Sequence, residues 1–327
     1  MTSHGYHTSR RALLAAIGTA AGSLSLAGCI DADSEWVAAD VPTDATLYDV
    51  VPTAVGAYAV GENGTVLARD DDRDEWTVEL EGGLGGRGDG LRSAAVTSNG
   101  RAMWVAGDSG ALGLYDVLAD RTIDFSAPKG KTTSWTAIAV AGLAGDERLT
   151  AINSSGELLR GRRDGPTIEW SEVIEPGSGS SVTDIDLTPL GYGYVVDTDS
   201  GVFESRDAGV SWSRIGIGGA GVDFAAVAAT DSGHVSVAGG NGIVYTYDGL
   251  DWSRTTLGEQ PIAALARDRD TALAVSSTGT LFERRYGDWT TLVDLQPGNE
   301  LLAVALETAR SPQLVVGQSG TIFERRY

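Results

Sequence analysis

The chain has 327 residues, with 45 Asp and Glu against 24 Lys and Arg, a formal net charge of −21 and a pI near 4.4. That excess of anions repels nucleic acid and anionic lipid, so neither is an expected partner. A chain of this length can bury roughly three quarters of its unfolded surface, enough for one large domain or two small ones.

The first element read along the chain is an export label. Arg10 and Arg11, after Ser9, precede a short apolar run from Ala12 to Leu26 that is too brief to span a bilayer and ends in small residues. The paired arginines resemble the twin-arginine signal, whose clients cross the membrane folded. Leu26-Ala27-Gly28-Cys29 resembles a lipobox. It implies a signal peptide over 1–28, a lipid on Cys29 and a short tether over 29–33. Cys29 is the chain's one cysteine, and no later apolar run is long enough to span a bilayer.

From Ser34 onward the chain repeats. Seven copies of one turn and strand follow in order: "GENGTVLAR" at Gly61, "GDSGALGLY" at Gly107, "NSSGELLRG" at Asn153, "DTDSGVFES" at Asp197, "GGNGIVYTY" at Gly239, "SSTGTLFER" at Ser276 and "GQSGTIFER" at Gly317. The anchoring glycines Gly64, Gly110, Gly156, Gly201, Gly242, Gly279 and Gly320 are 37 to 46 residues apart, the length of a four-stranded propeller blade. Each copy has a small-residue run, a Val-rich run, the glycine turn and the "TLFER" strand. Short apolar runs bounded by glycine turns read as β-strands. The small first strand suits the crowded axis of a ring, where only Ala, Ser or Gly packs closely.

Each of the first six copies then reaches an aromatic: Trp76, Phe125, Trp170, Trp212, Trp252 and Trp289. The seventh ends at Tyr327 without one, while "SEWVAAD" at Ser34 to Asp40 stands alone before the first copy and matches "DEWTVEL" at Asp74 to Leu80. The broken last repeat therefore predicts an all-β, seven-bladed propeller of four-stranded antiparallel blades over 34–327. The N-terminal strand completes the last blade, and ring closure leaves only short, protected edges.

"SRDAGVSW" at Ser205 to Trp212 matches S-x-D-x-G-x-x-W, so the chain resembles the BNR or Asp-box propellers. That resemblance implies a structural turn in which the Asp207 carboxylate accepts backbone N–H bonds, Gly209 supplies the bend and Trp212 packs between blades. The whole mature chain also looks like the photosystem II assembly and stability factor propellers, which include exported, lipid-anchored members that hold a membrane-protein partner. The arginine-rich binding patch of that family has no evident counterpart in this acidic sequence. Acid excess with two lysines, Lys129 and Lys131, resembles proteins of salt-in haloarchaea.

Catalytic signals are sparse. Beyond the signal, His234 in "SGHVSV" is the one histidine and no cysteine follows Cys29, so histidine or cysteine metal sites and a Ser-His-Asp triad away from His234 are excluded. His234 reads as a structural or surface residue. "RDDDRDEW" at Arg69 to Trp76 reads as a solvated acidic loop, with an oxygen-ligand calcium site as the alternative. Sialidase chemistry needs three arginines at the axis, whereas Arg69, Arg160, Arg163, Arg206, Arg284, Arg285, Arg325 and Arg326 fall on third strands and their turns, toward the rim. The inner strands carry Ala and Val, with Arg92 and Arg267 at their ends. "EGGLGGRGDG" at Glu81 to Gly90 lacks the Lys-Ser/Thr of a phosphate loop and reads as a flexible inter-blade loop.

The sequence thus predicts a non-enzymatic, monomeric, lipid-anchored scaffold, exported to the outer face of the cytoplasmic membrane. It would bind or assemble a protein partner there and need no cofactor. A propeller glycan hydrolase or lyase, or a carbohydrate- or ion-binding module, is the alternative.

Overall fold

The structure is a computed structural model that describes residues 34–70, 73–177 and 181–327. Arg10, Arg11 and Cys29 lie outside the described residues. The unit from Glu35 to Tyr327 is the predicted ring: seven four-stranded antiparallel sheets, with helix limited to four short 3-10 turns among the described residues. No helix among them is long and apolar enough to cross a membrane.

The first strands of blades 1 to 7 are Leu47–Pro52, Leu91–Val96, Ala137–Leu143, Val182–Leu187, Phe224–Asp231, Ile262–Arg267 and Leu301–Ala305. They touch one another in sequence around the axis, and the first and seventh meet. Closure falls where the broken repeat places it. Glu35–Ala38 pairs with Ile322–Arg326 of blade 7, Trp36 opposite Arg325 and Ala38 opposite Phe323. Each inter-blade gap holds its own apolar cluster, such as Leu47, Leu67 and Trp76 of blade 1 against Leu314, Val316 and Ile322 of blade 7. Because each cluster draws on two blades, no blade buries its apolar surface alone.

The meander fixes two ends of the ring. The turns joining first to second and third to fourth strands lie at one end, here the hairpin end. Turns joining second to third strands lie at the other. Four of these have positive φ at both central residues, for example Asn63 (56°) and Gly64 (71°), as a tight hairpin requires. A Cβ on Gly64 would sit 2.2 Å from the Gly83 nitrogen. Gly83 N–H donates to the Gly64 carbonyl at 2.9 Å, so the glycine-rich segment expected to be a flexible loop is tied down onto this turn.

The third-strand arginines depart from the rim placement. In the recurring "FER" motif the glutamate is buried and accepts from the next blade. Glu283 takes Arg325 Nη1 at 3.1 Å and Gln313 Nε2 at 3.2 Å, while Glu324 takes Arg69 Nε at 3.0 Å and Trp76 Nε1 at 2.7 Å. Glu147 of blade 3 likewise takes Arg163 Nη1 at 2.8 Å and Trp104 Nε1 of blade 2 at 3.1 Å. Arg69, Arg163 and Arg325 are therefore buried between sheets. A buried guanidinium is tolerated there because the carboxylate removes the cost of an unpaired charge.

Candidate functional site

Blade 3 has the longest second and third strands, Asp146–Ile152 and Leu158–Asp164, followed by Thr167–Trp170 as its fourth. Strand register sets Arg148 opposite Arg162, Arg162 opposite Glu169, and Thr150 opposite Arg160. Side chains alternate along a strand, so Arg148, Arg160, Arg162 and Glu169 share the face toward blade 4, while Leu149, Ala151 and Leu159 pack on blade 2. Farther along the same face, Ile152 and Leu158 close onto Val195 and Phe203 of blade 4. The arginines stand where that seam opens at the hairpin end.

Blade 4 supplies the opposite wall: Leu190 and Gly191 from its first hairpin, and Arg206 to Val210 from the Asp-box turn. In that turn the Asp207 carboxylate accepts the Ser205 hydroxyl at 2.9 Å, the Ser211 N–H at 2.8 Å and the Ser211 hydroxyl at 2.6 Å. Those bonds, the Ser211 hydroxyl first, hold the Asp207 carboxyl down at about 2. Trp212 Nε1 donates to the Gly209 carbonyl at 3.1 Å, and its ring lies against the apolar cluster shared by blades 3 and 4. Gly209, at φ 82°, brings the backbone so near that a Cβ there would lie 3.0 Å from Arg160 Cδ.

Between these walls runs a groove of about 500 Å³ lined by Arg148, Arg160, Arg162 and Arg206, with Leu190 and Val210 exposed along it. Arg206 is bound to Glu204 at 2.6 Å, and Arg162 lies 3.8 Å from Asp146 with both side chains exposed. Among the described residues Arg148 and Arg160 have no acidic partner, and Arg160 Nε is buried without a hydrogen bond. Like charges directly opposite on a sheet are destabilising, so the Arg148 and Arg162 pair carries a cost that a bridging anion would remove. The sequence reading placed Arg160 and Arg206 on or near a third strand but did not join them. It missed Arg148, Arg162 and Leu190, whose only signal was the Arg160-Gly161-Arg162 alternation.

The axis has a second cavity, of about 190 Å³, at the end opposite the hairpins. Register shifts early in most first strands form β-bulges that turn two residues per blade inward. The lining is therefore more varied than the Ala and Val pattern suggested. Tyr48, Asp49, Arg92, Ser93, Thr183 and Asp184 face Ala225, Ala226, Ala263, Ala264, Leu302 and Ala303. The polar groups are already engaged. Asp49 accepts Ala94 N–H of the next blade and its own Val50 N–H, both at 2.8 Å, and Asp184 accepts Val227 N–H at 2.9 Å. Arg92 is held by Asp108 through two bonds of 3.0 Å and lies 4.4 Å over the Tyr48 ring. Burial pushes Asp49 up to about 6, Asp184 to about 8 and Asp186 to about 6 against those backbone bonds.

His234, partly exposed, places Nδ1 2.7 Å from Asp231, which also takes Arg269 at 3.2 Å. No group of three or more His, Cys, Asp or Glu among the described residues is arranged to hold a metal. The acidic segment from Arg69 to Trp76 is only partly within those residues.

No protein-family model matches the chain, and no curated protein matches it in sequence. Its fold recurs in many solved structures. YCF48 from Cyanidioschyzon merolae superposes with a TM-score of 0.68 at 14% identity, covering 88% of this chain and 98% of that one. A structure of YCF48 bound to D1 peptide gives 0.70 at 17%, covering 89% and 94%. Virginiamycin B lyase from Staphylococcus aureus gives 0.73 at 10%, covering 90% and 100%. At these identities the likeness establishes the seven-bladed propeller and nothing about chemistry, which one fold hosts in many forms.

Proposed function

We propose that this chain is a non-enzymatic scaffold, exported by a twin-arginine signal and anchored through a lipid on Cys29. It holds a protein partner at the outer face of the membrane, and the groove between blades 3 and 4 takes an acidic segment of that partner. One observation carries the reading: a chain of net charge −21 gathers four of its 24 basic residues at one groove and, among the described residues, leaves Arg148 and Arg160 without an acid. Arginine's planar fork binds carboxylates in two-point contacts, and the exposed Leu190 and Val210 beside it suit the apolar side chains of a bound strand. The likeness to a propeller solved with a bound peptide supports a peptide as the ligand class.

The composition supports a haloarchaeal, salt-in setting. At molar salt the screening length falls to about 3 Å, so charge steers nothing from afar and recognition rests on direct contact. The Asp-box turn serves as a brace that keeps Arg160 and Arg206 against the groove. Gentle crosslinking of native membranes in molar salt, followed by purification and mass spectrometry, tests the reading. It predicts one membrane protein recovered in stoichiometric amount, and recovery of the chain alone would count against it.

A further inference from the structure

The two ends of the ring differ in a way that the groove does not explain. Of nine large apolar side chains left exposed among the described residues, eight lie at the hairpin end, and Val78, on a fourth strand, is the exception. All seven blades contribute: Val55, Leu118, Leu143, Leu190 with Val210, Leu250, Tyr286 and Tyr327. Leu250 is 85% exposed and Tyr286 is 96% exposed. Singly, such residues need no explanation. Their arrangement does, because the opposite end carries the long inter-blade connections and exposes no large apolar side chain among the described residues.

The same end receives the chain from its N-terminus. Glu35 pairs with Arg326, the last residue of blade 7's third strand, so the chain enters the ring at the hairpin end. Cys29 precedes Glu35 by six residues, at most about 20 Å of extended chain. A lipid on Cys29 would tether the ring through that end.

We propose that the hairpin end is a membrane-facing surface, its leucine and tyrosine tips seated among the lipid headgroups. This rests on the lipid-anchor reading above. One acyl chain binds a membrane weakly and stable attachment takes a second contribution. A ring of apolar tips supplies it, with tyrosine suited to the headgroup level. The acidic net charge does not prevent the approach, since in molar salt it is screened beyond about 3 Å, and the aspartates that flank the tips, such as Asp248 and Asp251 beside Leu250, lie in the same turns. The orientation also points the arginine groove, at the same end, toward chain segments that emerge from the membrane.

The test uses the full chain, whose one native cysteine is consumed by the anchor. A single reactive cysteine is introduced at Leu250→Cys or Leu118→Cys, and at Ser155→Cys or Thr278→Cys on the opposite end. Each is labelled with an environment-sensitive fluorophore and reconstituted into phospholipid vesicles containing spin-labelled lipid in molar salt. Quenching several-fold stronger at Leu250 and Leu118 than at the opposite pair is the expected result. Vesicle-bound protein with equal quenching at both ends, or stronger quenching opposite, overturns the proposal while leaving the anchor intact. Protein that stays soluble, as a Cys29→Ser control should, overturns the anchor and this surface together. Tips that crosslink to a protein in native membranes and escape lipid quenching overturn it in favour of a protein-docking face.

Discussion

Ring closure makes the sharpest energetic prediction. Glu324 of blade 7 is fully buried and accepts Arg69 Nε at 3.0 Å and Trp76 Nε1 at 2.7 Å from blade 1. Replacing Glu324 with Leu leaves a buried guanidinium and a buried indole N–H behind. Breaking a buried pair costs about 3–5 kcal/mol, and an orphaned donor about 1–3 kcal/mol. Arg69 keeps Asp74, a 61% exposed partner at 2.5 Å, which offsets part of this. The net loss should be about 4 kcal/mol, or a fall in Tm of about 8 °C at roughly 2 °C per kcal/mol for a chain of this size. Replacing both partners, Arg69→Met with Glu324→Leu, should recover the part of the loss owed to the uncompensated charge, while the Trp76 N–H stays without its acceptor. Thermal unfolding of the four proteins in one molar-salt buffer closes the cycle. Losses that add within about 0.5 kcal/mol would refute the claim that this pair joins the first and last blades.

Three further outcomes follow from the geometry. Asp49, Asp184 and Asp186 hold their protons more tightly folded than unfolded, with folded values of about 6, 8 and 6. Their contribution is fully present below about pH 4 and is lost as pH rises through 6 to 8; a melting temperature that climbs from pH 5 to pH 9 at fixed salt would contradict it. Gly209→Ala places a Cβ at φ 82° and 3.0 Å from Arg160 Cδ. It should cost about 1–2 kcal/mol and weaken partner capture, and an unchanged Tm would exclude the tight turn. Arg148→Glu, in an exposed position on the groove, should abolish partner capture while leaving stability within about 0.5 kcal/mol of the parent; capture that survives it would separate the arginines from binding.

The blades were legible because each needs the same local devices: a tight turn whose glycine reads in sequence, a small inner strand and a closing aromatic. Closure was legible because Trp36 stands alone before the first repeat while the last repeat stops at Tyr327. Register-dependent features were not. The inward turn of Tyr48, Asp49 and Asp184 comes from bulges that no residue pattern announces. Arg69, Arg163 and Arg325 look like rim charges in sequence; the packing of one sheet on the next gives Arg69 and Arg325 their buried glutamates, and the neighbouring strand of its own blade gives Arg163 Glu147. The groove is harder still: Arg148, Arg162, Leu190 and Arg206 come from two blades and four strands or turns, joined only by cross-strand register and by the brace at Gly209.

The central claim, that this groove holds an acidic segment of a membrane partner, is tested most directly by a photo-crosslinking residue at Leu190. The variant is activated in native membranes at molar salt, in the parent chain and in the Arg148→Glu chain. The account predicts one product, a membrane protein joined through a peptide rich in Asp or Glu and lost on charge reversal. No product at Leu190, or a product indifferent to Arg148, would contradict it.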